Sequence, residues 1–258
     1  MATVPKRLLR GIIHCHSKYS YDSVTSIGSY LRFARKHNLD FIIVTDHDST
    51  KGSQALREAA AMHMPSLNVP LAAEYLTDCG DIIAVFLKSE LQARTLDEAV
   101  SEARAQGAIL LFPHPYVSHK EIRRMAEVCD LIEVFNARAS DGQNKKAADL
   151  AASVGKVVYA GADAHLSNSL GRVIVQVDDH GDLRASLLKG KMSWVCEKTP
   201  KWEIAASQAI KAYKRRDIFV AWNLVRGGAR YMWRRLAGQT SGEAVQSLVG
   251  NQEGGEKQ

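Results

Sequence analysis

From residue 11 to about 177 the chain alternates short apolar runs with stretches of helical period. The runs are GIIH, DFIIVT (40–45), VPLAAE (69–74), DIIAVFL (81–87), AILLFP (108–113), DLIEVF (130–135), KVVYAG (156–161) and RVIVQV (172–177). Their near-continuous apolar character suits strands covered on both faces, as in parallel sheets. Between them lie TSIGSYLRFARKHN (25–38), SQALREAAAMHM (53–64), TLDEAVSEARAQG (95–107), SHKEIRRMAEV (118–128) and KKAADLAASVG (145–155), several opening on Ser or Thr and ending at Gly or Asn. Such alternation predicts an α/β barrel or a doubly wound sheet. No internal repeat interrupts it, and the last dozen residues, SLVGNQEGGEKQ, read as disordered.

Composition adds bounds. A chain of 258 residues with 46% hydrophobic content supports one large barrel or two small domains. No window approaches the roughly 18 uninterrupted apolar residues of a membrane span, and the apolar run near the N-terminus is too short for a signal peptide. The expected compartment is therefore the cytoplasm. Cys15, Cys79, Cys129 and Cys196 lack CxxC spacing and read as reduced thiols. Charge is uneven: from Lys198 onward eleven Lys and Arg stand against five Asp and Glu, while the preceding residues carry 23 of each. The excess thus reads as belonging to an appendage and not to a site.

The polar residues that follow the apolar runs carry the chemistry. His14 and His16 close the first run, and in an extended strand both would face the same way, with Cys15 opposite. Asp46, His47 and Asp48 follow the second run, Glu74 the third, His114 the fifth, and Asp163 and His165 the seventh. The carboxyl ends of barrel strands face the loops that build active sites, so five strands deliver His, Asp or Glu to one rim. His14, His16, His47, His114 and His165, with Asp22, Glu74 and Asp163, suit metal ligation: imidazole and carboxylate without thiolate fit Zn, Mn or Fe(II), and the set exceeds what one tetrahedral ion needs. Two or three divalent ions are expected. His37, His63, His119 and His180 fall elsewhere and receive no role.

Taken together, HCHSKYSYDS, TDHD, an isolated Glu after a strand, LLFPHP and GADAH followed by LG resemble the polymerase and histidinol phosphatase (PHP) family over about residues 11 to 195. The resemblance implies a distorted (β/α)7 TIM-like barrel carrying up to three metals and hydrolysing phosphoesters. It further implies that His14, His16 and Asp163 hold one ion with Glu74 as a bridge, that Asp22, His47 and His165 hold a second, and that Glu74 and His114 serve a third. Many members have a histidine where this chain has Asp81, which either substitutes as an oxygen ligand or caps the strand. In this reading His14, His16, Glu74, Asp163 and His165 are the catalytic residues.

Arg138 and Lys18 are the candidates for meeting a substrate phosphate, with Arg172 a weaker third. The expected domains are a barrel over 1–197, a basic amphipathic helical extension over 198–238 broken at Gly227-Gly228, and a disordered tail over 239–258. Residues 201–236 either pack an apolar stripe on the barrel or contact a polyanion, nucleic acid or an anionic membrane. The function expected is a metal-dependent phosphoesterase acting on a phosphorylated small molecule, a nucleotide or an oligonucleotide end. The alternatives are a non-catalytic metal-stabilised module tethered by its basic tail, and a hydrolase of C–N or C–O bonds, which would favour a carboxylated lysine where Glu74 stands.

Overall fold

The computed structural model describes residues 7–216. In chain order the elements are β1 (Leu8–Cys15), α1 (Ile27–His37), β2 (Phe41–Val44), α2 (Lys51–His63), β3 (Ala72–Leu76), β4 (Asp81–Val85), α3 (Leu96–Ala105) and β5 (Ile109–Phe112). They continue with α4 (Ile122–Val128), β6 (Leu131–Asn136), α5 (Asp141–Val154), β7 (Val157–Gly161), a 3-10 turn (Ser167–Arg172), β8 (Val173–Asp178), α6 (Leu183–Lys189), β9 (Met192–Cys196) and α7 (Lys201–Arg215).

Capping chemistry sets several of these boundaries. Ser26 accepts from the Ser29 amide and Asn38 closes α1 in the left-handed region. Ser140 and Gln143 form a reciprocal capping box, which starts α5 four residues earlier than its apolar period suggests. In contrast, α4 starts four residues late. Ser118 and Glu121 take positive φ, and Lys120 donates its amide to the Cys79 carbonyl, so residues 118–121 are drawn onto the rim and not into the helix.

The strands form two sheets, ordered β2-β1-β8-β9 and β3-β4-β5-β6-β7. Four pairings are antiparallel, β1 with β8, β8 with β9, β3 with β4 and β4 with β5, which corrects the all-parallel expectation. The reason is local: only Thr77 to Gly80 separate β3 from β4, too short for a crossover, and Thr77 closes that turn on the Gly80 carbonyl. Among the described residues no continuous ladder closes a ring. The two sheets instead meet at isolated parallel bridges, Cys15↔Ala164 on one side and His47↔Glu74 and Phe41↔Asn68 on the other. Two of those seams consist of site residues or their immediate neighbours.

One apolar cluster fills the space around β1 and β2, with Ile12, Ile42, Leu56 and Val175 fully covered. A second lies under β4–β6 against α3 and α4, around Ile82, Leu110, Met125 and Ile132. Each such aliphatic side chain contributes about 1.5–3 kcal/mol, which holds the strand ends fixed beneath the rim. The helical content expected over 217–236, including Trp222, Trp233 and the Gly227-Gly228 break, and the tail over 239–258 lie outside the described residues.

Candidate metal centre

Strand ends and the loops that follow them bring together His14, His16, Asp22, His47, Glu74, His114, Asp163 and His165. They fall into overlapping groups whose ligand atoms are close enough to share an ion: His16, Asp22, His47 and His165; His14, His16 and Asp163; His14, Glu74 and His114. A further group joins Asp81 and His114 to His119.

Simple strand alternation does not produce this convergence. The β1–β2 register shifts between Ile13 and Cys15, and His14 has φ 62°. A bulge therefore re-aims the first imidazole, and the His14 and His16 ring centroids end 5.5 Å apart. His114 and Asp163 also sit at positive φ, 28° and 49°, conformations that non-glycine residues hold only where the surroundings enforce them.

Glu74 occupies the middle. Its Oε2 lies 3.6 Å from His14 Nε2, 3.5 Å from His16 Nε2 and 3.4 Å from His47 Nδ1, while Oε1 lies 3.1 Å from His114 Nε2. Asp22 Oδ2 is 3.1 Å from both His47 Nε2 and His165 Nε2. Asp163 Oδ1 is 3.4 Å from His16 Nε2 and 3.7 Å from His14 Nε2. His14 Nε2, both nitrogens of His16 and Glu74 Oε2 are buried without a hydrogen-bond partner. Orphaned buried donors and acceptors are costly, and an ion among them removes that cost.

Electrostatics favours the same occupant. Burial would push the His14 imidazole down, but Glu133, Asp163 and Glu74 outweigh it and hold it well above its ordinary value. Burial also opposes protonation of His47, yet Glu74 and Asp22 raise it to about 9. Glu74 and Asp163 are held well below the carboxylate range against burial, Glu74 chiefly by His14 and His47 and Asp163 chiefly by Arg138 and His14. His16, desolvated and facing His165 and His47, falls to about 3 and stays a neutral ligand. The carboxylates demand cations, and divalent ions meet that demand with the donor set present.

Sequence reasoning missed three contributors. Glu133, inside β6, is fully buried; it accepts from His14 Nδ1 (2.9 Å), the His114 amide (2.7 Å) and Asn136 Nδ2 (2.9 Å), so it orients two candidate ligands. His119 meets the Asp81 amide at 3.0 Å, because the loop before α4 folds onto the rim. Lys211, on α7, lines the cavity. Only the position of Glu133 within an otherwise apolar strand was a visible signal.

The cavity above these groups has a volume of about 450 Å³ and is lined by Tyr21, Leu76, Asp81, Val117, Arg138, Ile204 and Lys211 as well as ligand candidates. Asp81 reaches the rim from the start of β4 because that strand runs antiparallel to β3. Burial and Glu74 push its carboxyl up to about 6. Arg138 lies against the His165 ring, 3.6 Å from Asp163 Oδ1, and donates to Ser207 Oγ (3.0 Å). Lys18 does not line the cavity; its ammonium sits over the exposed Tyr19 ring at 5.3 Å, carried there by the outward turn of the loop. Arg172 is likewise engaged elsewhere, with Glu197 and Glu203. From the stretch expected as a basic extension, α7 contributes Ile204 and Lys211 to the cavity wall.

Residues 141–192 match the family model described as PHP-associated. Among curated proteins, the uncharacterized proteins MJ0417 and MJ1587 of Methanocaldococcus jannaschii are 27% identical over 180 residues (65% of this chain, 70% of that protein) and 26% over 148 residues (52% and 85%). A two-domain protein of Bacteroides vulgatus containing a predicted PHP-like metal-dependent phosphoesterase shares the fold with TM-score 0.63 and 18% identity, over 74% of this chain and 66% of that one. This chain thus spans just under two thirds of that protein. PsfC of Pseudomonas syringae shares it with TM-score 0.58 and 16% identity, over 81% and 99%. The PHP-associated segment and the shared mixed α/β fold, beside the rim of histidines and carboxylates, support a likeness to the PHP domain family.

Proposed function

We propose that the chain is a metal-dependent phosphoesterase built on a distorted barrel of the PHP type. The observation that carries this reading is the set of buried, unpartnered atoms of His14, His16 and Glu74 facing one another, with Arg138 beside them at the cavity wall. In it, His14, His16 and Asp163 hold one ion with Glu74 between sites, and Asp22, His47 and His165 hold a second. Glu74 and His114, with Asp81 as an oxygen donor, serve a third.

When bound, two or three Mn, Zn or Fe(II) ions supply Lewis-acid stabilisation of phosphoryl oxygens and acidify water near neutral pH. The protein's own groups do the rest. Arg138, fixed by Ser207 and Asp163, presents guanidinium donors to a phosphate oxygen in a planar fork. Leu76, Val117 and Ile204 give the organic part of the substrate an apolar wall. The substrate is read as a compact phosphorylated molecule or a nucleotide end, which suits a cavity of about 450 Å³.

Protein purified without chelator, analysed for metals and assayed on a phosphoester panel, tests the reading. At least two divalent ions per chain and chelator-sensitive hydrolysis are expected. His14→Ala and Asp163→Ala should each abolish hydrolysis while preserving the circular dichroism spectrum. Fewer than one tightly held ion after reconstitution with Mn or Zn, or turnover indifferent to chelation, would overturn it.

A further inference from the structure

Asp22 is the only carboxylate in the group that joins it to His16, His47 and His165, and it sits on a loop and not on a strand. Within the loop, Ser20 Oγ donates to Asp22 Oδ1 (2.7 Å), which leaves Oδ2 to face the two imidazoles. The inner leg is fastened by Ser23 Oγ on the His16 and His165 carbonyls, at 2.7 and 2.8 Å. The outer leg, with Lys18 and Tyr19 exposed, is closed within the loop by the Lys18 amide on the Thr25 carbonyl (2.8 Å), the Ser20 amide on the Ser17 carbonyl (2.9 Å) and the Tyr19 amide on Ser17 Oγ (3.2 Å).

That outer leg is held from α7. Lys214 Nζ donates to the carbonyls of Lys18 (2.9 Å), Ser20 (2.8 Å) and Ser23 (2.7 Å), three acceptors flanking Asp22 and nearly 200 residues away in the chain. An ammonium has three donors, so this geometry uses all of them. A second route runs from the same turn of the helix. The Arg215 guanidinium lies 3.6 Å from the centroid of Tyr21, whose ring stacks on His47 at 4.6 Å. The helix itself is seated by buried Glu203, which accepts from Ser169 Oγ (2.5 Å) and Arg172 Nη2 (2.8 Å).

We propose that Lys214 is a positioning residue for the ion held by Asp22, His47 and His165, acting through the backbone of the 18–23 loop. The proposal rests on the metal-centre reading above. Water can replace the ammonium at three carbonyls, so losing Lys214 leaves the fold standing and frees the loop. Outer contacts of this kind tune metal affinity by about 10- to 100-fold.

The test is Mn²⁺ titration of the full chain, followed by the EPR signal of free Mn²⁺, with amide hydrogen exchange of residues 18–25 measured on the same samples. Lys214→Met should weaken one class of Mn²⁺ sites by about tenfold or more and speed exchange in the loop, and Lys214→Arg should restore most of both. Ala209→Gly, on the exposed face of α7, loosens the helix without touching the loop and should leave Mn²⁺ affinity in place. Unchanged Mn²⁺ binding in Lys214→Met, or an equal loss in Ala209→Gly, overturns the proposal. If Lys214→Met does not fold, Lys214→Gln, which keeps one amide donor group, is read by the same criteria. Wild-type protein that binds no Mn²⁺ removes the metal-centre reading alone, and the exchange arm then decides whether Lys214 holds the loop.

Discussion

At the scale of single residues, the groups behind the ligands are as informative as the ligands. Glu133 touches His14, the His114 amide and Asn136, so Glu133→Gln should weaken metal binding by about 10- to 100-fold while removing no ligand, as measured by metal titration. A Cβ on Gly161 would collide with Glu133 Oε1 and crowd His14 Cβ, so Gly161→Ala should have a similar effect. Asp81 separates two roles by pH. Burial, then Glu74, raise its pKa from 3.8 to about 6 in the metal-free protein, so the folded state favours its protonated form. That contribution is complete below pH ~4 and lost as pH rises through about 6. Asp81→Asn should therefore stabilise chelated protein by ~2 kcal/mol at pH 7.5, with no gain at pH 3.5, in denaturant titrations. If Asp81 is an oxygen ligand, the same substitution lowers the metal content of reconstituted protein; if it only caps β4, metal content is unchanged.

At the scale of elements, α7 changes what truncation should do. A basic extension that merely trailed from the barrel could be cut after residue 200 without consequence. Instead α7 supplies Ile204 and Lys211 to the cavity, Ser207 to Arg138 and Lys214 to the Asp22 loop. Truncation after residue 200 should therefore lower kcat/KM for nitrophenyl phosphate at least tenfold, whereas truncation after residue 216, which keeps α7, should retain most of it. Equal turnover by the two shortened chains would return α7 to the role of a bystander. The β3–β4 hairpin acts similarly, since its reversal carries Asp81 to the rim occupied by Glu74.

At the scale of the whole molecule, the candidate metal centre lies where the two sheets meet through single bridges, Cys15↔Ala164 and His47↔Glu74. Ions bound there would tie both sheets together, and a ligand that binds only the folded state stabilises it by ~2.7 kcal/mol at a hundredfold excess over its Kd. Chelation should lower the thermal midpoint by several degrees, and restoring Mn or Zn should recover it. A midpoint indifferent to chelation would mean that the seams close without metal.

The sequence alone marked where apolar runs give way to histidines and carboxylates. Apolar runs ending in His14, Glu74, His114 and Asp163 report burial followed by exposure, and that pattern is local, so most of the candidate ligands were legible before any coordinates. Caps such as Ser26 and Asn38 were legible for the same reason. Strand direction was not, because apolar periodicity records how deeply a strand is covered and not which way it runs. Nor were the contacts that join distant segments: Glu133 lies 119 residues from His14 in the chain, and Lys214 lies 194 from Ser20. Only the tertiary structure decided these, because packing brings one buried carboxylate and one ammonium to backbone and imidazole groups that no spacing along the chain relates to them.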